Sequence, residues 1–166
     1  DVGTEKIDAY PARSKNADDT YEAIRDFRGT TYLDLVYSDN SEEIKKAVKQ
    51  FGFCHRTSVP GIPQTNSLAE GRVRIVLYGT RTALGNAGLP SAYWPYAARH
   101  FCFGLTIKER NGESAYMRQQ GEAFPGMLVP FGCRVSFMPS EISKNQPLKM
   151  EDRTQVGVFL GYVLDP

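Results

Sequence analysis

Cysteine is scarce in this sequence, and its placement argues against three chemistries. The three residues, Cys54, Cys102 and Cys133, are far apart and odd in number. They form no C-x-x-C pair, which argues against a zinc finger, a redox dithiol and a disulfide framework. They read as reduced thiols of an intracellular protein. Histidine is scarcer still: His55 and His100 have no metal-site spacing with any cysteine, so both read as structural. No apolar run approaches the length that spans a bilayer. The opening Asp1-Val2-Gly3-Thr4 shows no basic region followed by an apolar one, so no secretory signal is visible. Charge of one sign is also missing. The net charge of +1 gives no basic footprint at whole-chain level, and any nucleic-acid surface must be local. G-x-S-x-G, P-loop and dinucleotide fingerprints are absent, as are internal repeats and low-complexity tracts.

What remains is an ordinary globular composition. Apolar residues make up 41% of 166 and charged residues 23%, enough for one domain with a core and at most a small appendage. Asp1–Tyr10 reads as the end of one strand, a Gly turn and a second strand. Asn16 is a candidate N-cap for a helix that Gly29 stops, with Tyr21, Ile24 and Phe27 on its apolar stripe. Leu33–Tyr37 reads as a strand buried on both faces that delivers Asp39 to its tip. Ser41–Phe51 is a second helix closed by Gly52, and Phe53–Val59 a short strand. A loop with Pro60, Gly61 and Pro63 cannot continue either element.

Asn66 or Ser67 then caps the longest helix, expected to end near Ala87, with Glu70 in its first turn. Gly79 and Gly85 weaken that helix by about 1 kcal/mol each relative to Ala. A further helix, about Ser91–Leu105, carries Trp94 as a packing anchor. The segment 106–126 turns polar and reads as a linker. The tail, 127–166, has short strand-like runs at Leu128-Val129, Cys133–Phe137 and Val156–Val163.

Asp39 and Glu70 are two carboxylates on two elements around one loop, an arrangement that suits a divalent metal taking oxygen ligands. Carboxylates are mostly exposed anyway, so spacing alone does not separate such a pair from two surface acids.

The wording of the stretch adds to this. Tyr37-Ser38-Asp39-Asn40-Ser41-x-Glu43, followed by Pro60-x-x-Pro63-Gln64-x-Asn66-x-x-Ala69-Glu70, resembles the catalytic core of copia-type retrotransposon integrases. There the segments read close to S-D-N-G-x-E and P-x-x-P-Q-x-N-G-x-A-E-R. The resemblance continues in order through Ala87-Gly88-Leu89-Pro90, Trp94-Pro95, Pro130-Phe131-Gly132-Cys133 and Gly157–Tyr162. It implies a partial RNase H-like α/β layer over 1–105, a linker at 106–126 and a small SH3-like β appendage over 127–166.

It further implies metal-dependent DNA strand transfer, with Asp39 and Glu70 as catalytic residues and ligands of Mg²⁺ or Mn²⁺. Gln64, Asn66, Arg72 and Arg74 would contact DNA. DNA and other chains of a larger assembly are the implied partners, and the nucleus the implied site of a live integrase. The family's first Asp lies on a strand upstream of the part that Asp1–Tyr10 matches, so the residues as given are expected to be a fragment without strand-transfer activity. Ser41, Ser67 and Gly71 stand where the family has Gly, Gly and Arg. These departures leave a second possibility, a domesticated, non-catalytic module that binds or scaffolds.

Overall fold

A computed structural model describes residues 1–62, 66–139 and 153–163. The architecture is α/β. In order come α1 (Ala17–Arg28), β1 (Leu35–Ser38), α2 (Glu42–Phe51), β2 (Cys54–Thr57), α3 (Ser67–Ala87), a 3₁₀ turn (Ser91–Tyr93), α4 (Trp94–Ile107), α5 (Ala115–Gln120), β3 (Arg134–Phe137) and β4 (Gln155–Val158).

β1 and β2 pair in parallel, with Leu35 opposite Cys54 and Ser38 opposite Thr57. Parallel strands need a crossover, and α2 supplies it. α1 starts where Asn16 caps it: Asn16 Oδ1 accepts the Asp19 amide at 2.7 Å. α1 packs on α2 through stacked rings. Tyr21 lies 4.0 Å from Phe51, and Phe51 lies 5.0 Å from Phe53. The Arg28 guanidinium covers both phenylalanines. α2 ends at Gly52 in the left-handed conformation (φ 73°), which glycine adopts without a side-chain clash.

The core lies along α2 and α4. Ala47, Val48, Ala97 and Cys102 are fully buried, with Ala98 and Phe103 nearly so. α3 crosses α4 closely. A Cβ at Gly79 would fall 2.1 Å from the Phe101 ring, so this glycine is a contact point between the helices rather than a mere weakness in α3. Downstream, β3 and β4 pair antiparallel, Arg134 opposite Val158. Their flank packs back on α4: the His100 ring stacks on Tyr162, and His100 Nε2 donates to the Val129 carbonyl at 3.0 Å. The Tyr162 hydroxyl accepts from the Val129 amide (2.7 Å) and donates to the Met127 carbonyl (2.8 Å).

Several expectations change. Asp1–Tyr10 forms no strand. Its polar groups are satisfied locally, by the Asp1 carboxylate on the Gly3 and Thr4 amides and by the Asp8 carboxylate on the Ala9 amide. The Ile7 carbonyl goes to the Thr106 hydroxyl on α4 (3.3 Å), and Tyr10 packs edge-on against Phe27. β1 is not buried on both faces. Leu35 and Tyr37 are each 47% exposed, because among the described residues only β2 pairs with the strand. Leu128-Val129 is not a strand. Trp94 is 48% exposed, and the buried part of the α4 stripe begins at Ala97. The polar segment after Thr106 contains the capped helix α5, whose N-cap Ser114 accepts the Met117 amide. No described helix is long and apolar enough to cross a membrane.

Candidate functional site

The parallel pair ends where the chemistry is expected. The ladder continues past β1, with the Ser58 amide donating to the Ser38 carbonyl at 2.9 Å. Ser38 is buried and its hydroxyl is doubly used: it donates to the Asp39 carbonyl (2.7 Å) and lies 2.9 Å from His55 Nε2. The hydroxyl thus bridges the Asp39 carbonyl and the His55 ring.

The Asp39 carboxylate sits at the start of α2, where its Oδ1 accepts the Ser41 amide at 3.1 Å. An Asp two residues before an unsatisfied helical amide does the work of a cap, and the helix dipole favours its charge there. Ser41 occupies the N-cap position without capping, and its buried Oγ has no partner. Asn40 Nδ2 reaches the Ser58 carbonyl at 3.3 Å. Asp39 is thus held through its main chain, its carboxylate and its neighbours on both sides.

Glu70 lies in the first turn of α3 and is exposed, and among the described residues its carboxylate has neither a hydrogen bond nor an ion pair. Asn66 stands at the N-cap of α3 but makes no capping bond, and its Oδ1 is buried without a partner. Arg74, one turn beyond Glu70, is exposed on the same side of the helix. Arg72 is half-buried. Its charge reaches the Asp1 amine, whose pKa is lowered by burial first and then by Lys6 and Arg72. Gln64 lies outside the described residues. Among the described residues no three His, Cys, Asp or Glu side chains gather as a metal cluster.

The donor chemistry nevertheless fits a hard divalent cation. Among the described residues Asp39 keeps one oxygen free of hydrogen bonds and Glu70 keeps two, and both groups are open to solvent. Mg²⁺ and Mn²⁺ are commonly held by one or two carboxylates, with water and substrate phosphates completing the shell.

His55 is the residue that motif reading misses. Its signal is the parallel register, which sets it opposite Val36 and lets its ring reach Ser38. Tyr10 lines one groove with Asp39 and Ser41, its hydroxyl donating to Asp8 Oδ2 at 3.0 Å. Burial, then the Asp8 charge and this bond, raise its pKa.

The chain thus joins a βαβ unit, whose first strand ends on a clamped aspartate, to a long helix that opens on a glutamate with no partner among the described residues. Homologues of the chain are copia-type retrovirus-related Pol polyproteins. It is 32% identical over 153 residues to the polyprotein from transposon RE1 of Arabidopsis thaliana, covering 87% of this chain and 10% of that protein. Against the RE2 polyprotein of the same plant it is 29% identical over 167 residues (93% of this chain, 11% of the relative). Against the TNT 1-94 polyprotein of Nicotiana tabacum it is 29% identical over 148 residues (78% and 10%). The chain therefore spans about a tenth of the length of these relatives. No protein-family model matches it. Among solved structures, the catalytic core domain of BIV integrase aligns with a TM-score of 0.49 and 17% identity, covering 66% of this chain and 74% of the other.

Proposed function

We propose that this chain is an integrase-core segment of a retrotransposon polyprotein, and that Asp39 and Glu70 hold a divalent cation against the backbone of DNA. The observation that carries the reading is the pinning of Asp39 by Ser38, Ser41 and His55 at the tip of β1. A surface acid without a role needs no such support, whereas a ligand to a metal gains from being held in place. Homology to Pol polyproteins supplies the context.

Mg²⁺ or Mn²⁺, when bound, supplies charge stabilisation and an activated oxygen for phosphoryl transfer. The residues of this chain orient and hold. Ser38 and His55 fix the main chain of Asp39, Ser41 aims its carboxylate, and α3 presents Glu70. Asn66, Gln64, Arg72 and Arg74 are DNA contacts in the same proposal. So are the RNase H-like character of the core, the boundaries 1–105, 106–126 and 127–166, an SH3-like tail to which β3 and β4 belong, partner subunits and a nuclear site of action.

Retention of a labelled duplex with rising Mn²⁺, by the wild-type chain and by D39N and E70Q, tests the reading. Retention should rise with Mn²⁺ and fall in either variant. Retention indifferent to both carboxylates overturns it and favours a module that binds without a catalytic metal.

A further inference from the structure

An open groove of about 520 Å³ lies between the segment before α1 and the start of α2, and Asp39 lies on its wall. Five charged residues line it: Arg13 and Lys15 against Asp19, Asp39 and Glu43. Four of them are engaged. Lys15 Nζ is 3.5 Å from Glu43 Oε1, Asp19 Oδ2 accepts the Ser14 hydroxyl at 2.8 Å, and Asp39 Oδ1 accepts the Ser41 amide. Arg13 is the exception. Its guanidinium has no hydrogen bond or ion pair among the described residues. Ser41, another lining residue, has the buried hydroxyl oxygen that lacks a partner.

We propose that Arg13 and Lys15 form a phosphodiester subsite that seats a nucleic-acid strand in this groove beside Asp39. The inference rests on the integrase reading and adds the residues that bring the strand to the carboxylate. A planar guanidinium offers five donors in a fork that matches phosphate oxygens, and Arg13 has no other partner among the described residues. The Lys15–Glu43 pair has a lysine side chain that is 80% exposed. Such pairs are weak, so Lys15 can exchange its partner for a phosphate.

The charge count sets a condition. Two cations against three carboxylates leave the groove at −1, which opposes an anion. A divalent cation on Asp39 turns this to +1. Strand and cation should therefore favour each other, and by linkage reciprocally so. The subsite is filled only when Asp39 is neutralised.

Fluorescence anisotropy of a labelled DNA duplex, titrated with the 166-residue chain at several salt concentrations, tests this in EDTA and in Mg²⁺. In Mg²⁺, R13A should bind about tenfold more weakly, the scale of a lost charge-assisted contact. Its plot of log affinity against log salt should be shallower by about 1, and K15A should repeat the pattern. R13K, which keeps the charge, should keep the slope and lose part of the affinity. In EDTA the wild type and R13A should differ little. Circular dichroism melts show whether each variant folds, and R13K reports on the subsite if R13A does not. A wild type that binds DNA while R13A and R13K match it in affinity and slope overturns the inference and leaves the integrase reading standing. A wild type that binds no DNA in Mg²⁺ at low salt overturns both. Inorganic phosphate competing as well as DNA, mole for mole, would mean a single-anion pocket and overturn the strand proposal.

Discussion

Replacing Gly79 by Ala tests the α3–α4 contact against the opposing pull of helix propensity. Taken alone, Gly→Ala inside a helix stabilises by about 1 kcal/mol. At Gly79 the new Cβ would lie 2.1–2.2 Å from three atoms of the Phe101 ring. Overpacking of that kind costs about 1–3 kcal/mol. The ring edge can shift somewhat, because Phe101 is only partly buried, so the cost should fall in the lower half of that range. The net effect is then a loss of roughly 0–1 kcal/mol.

Gly85, six residues on in the same helix, has nothing within 4 Å of its would-be Cβ. There Ala should gain the full propensity term, about 1 kcal/mol. The two variants should thus differ by about 1–2 kcal/mol, or roughly 2–8 °C in Tm for a chain of this size. Urea titrations of the wild type, G79A, G85A and G79A/F101L measure this directly, with F101L expected to restore part of the gain. Equal stabilisation by G79A and G85A would refute the close helix crossing.

Three further outcomes are expected. Ser38→Ala leaves His55 Nε2 and the Asp39 carbonyl without their shared partner, and should cost about 1–3 kcal/mol in chemical denaturation; an unchanged midpoint would mean that the clamp on Asp39 is incidental. Cys102 has its thiol pushed up to about 12, by burial first and then by the charge of Asp8. A raised folded-state pKa means stability that is fully present below the unfolded value of about 8.5 and is lost as pH rises toward 12, so C102A should show a flatter alkaline limb than wild type. The isolated 166 residues should join no labelled duplex ends in Mn²⁺. Among the described residues no three metal-ligating side chains cluster, and phosphoryl transfer depends almost wholly on positioning; Glu70-dependent joining would show that no such cluster is needed.

Local signals were legible in the sequence where local chemistry decides the outcome. Asn16 caps α1 through its own side chain, and Gly29, Gly52 and Gly88 follow the last turns of α1, α2 and α3. The apolar runs around Val36 and Cys54 became strands within two residues of their expected limits. Legibility failed where the partner is distant in sequence. The alternation in Asp1–Tyr10 reads as a strand, yet its carbonyl at Ile7 is taken by Thr106, 99 residues away. Gly79 reads as a defect until Phe101 is found across the helix crossing. His55 carries no motif of its own, because its contact with Ser38 exists only through the parallel register. Asp39 and Glu70 were named as site candidates by the motif alone. The support around Asp39 was not legible there, since it comes from main-chain amides and carbonyls that side-chain patterns do not encode.

Paramagnetic broadening by Mn²⁺ of assigned backbone amide signals tests the central claim most directly, because it reads proximity to one bound ion. Substoichiometric Mn²⁺ should broaden the amides of Asp39–Ser41 and of Ser67–Gly71 together, with weak affinity, and both sets should sharpen in D39N and again in E70Q. Broadening confined to one of the two segments, or broadening of both that survives D39N, would contradict a shared site for Asp39 and Glu70.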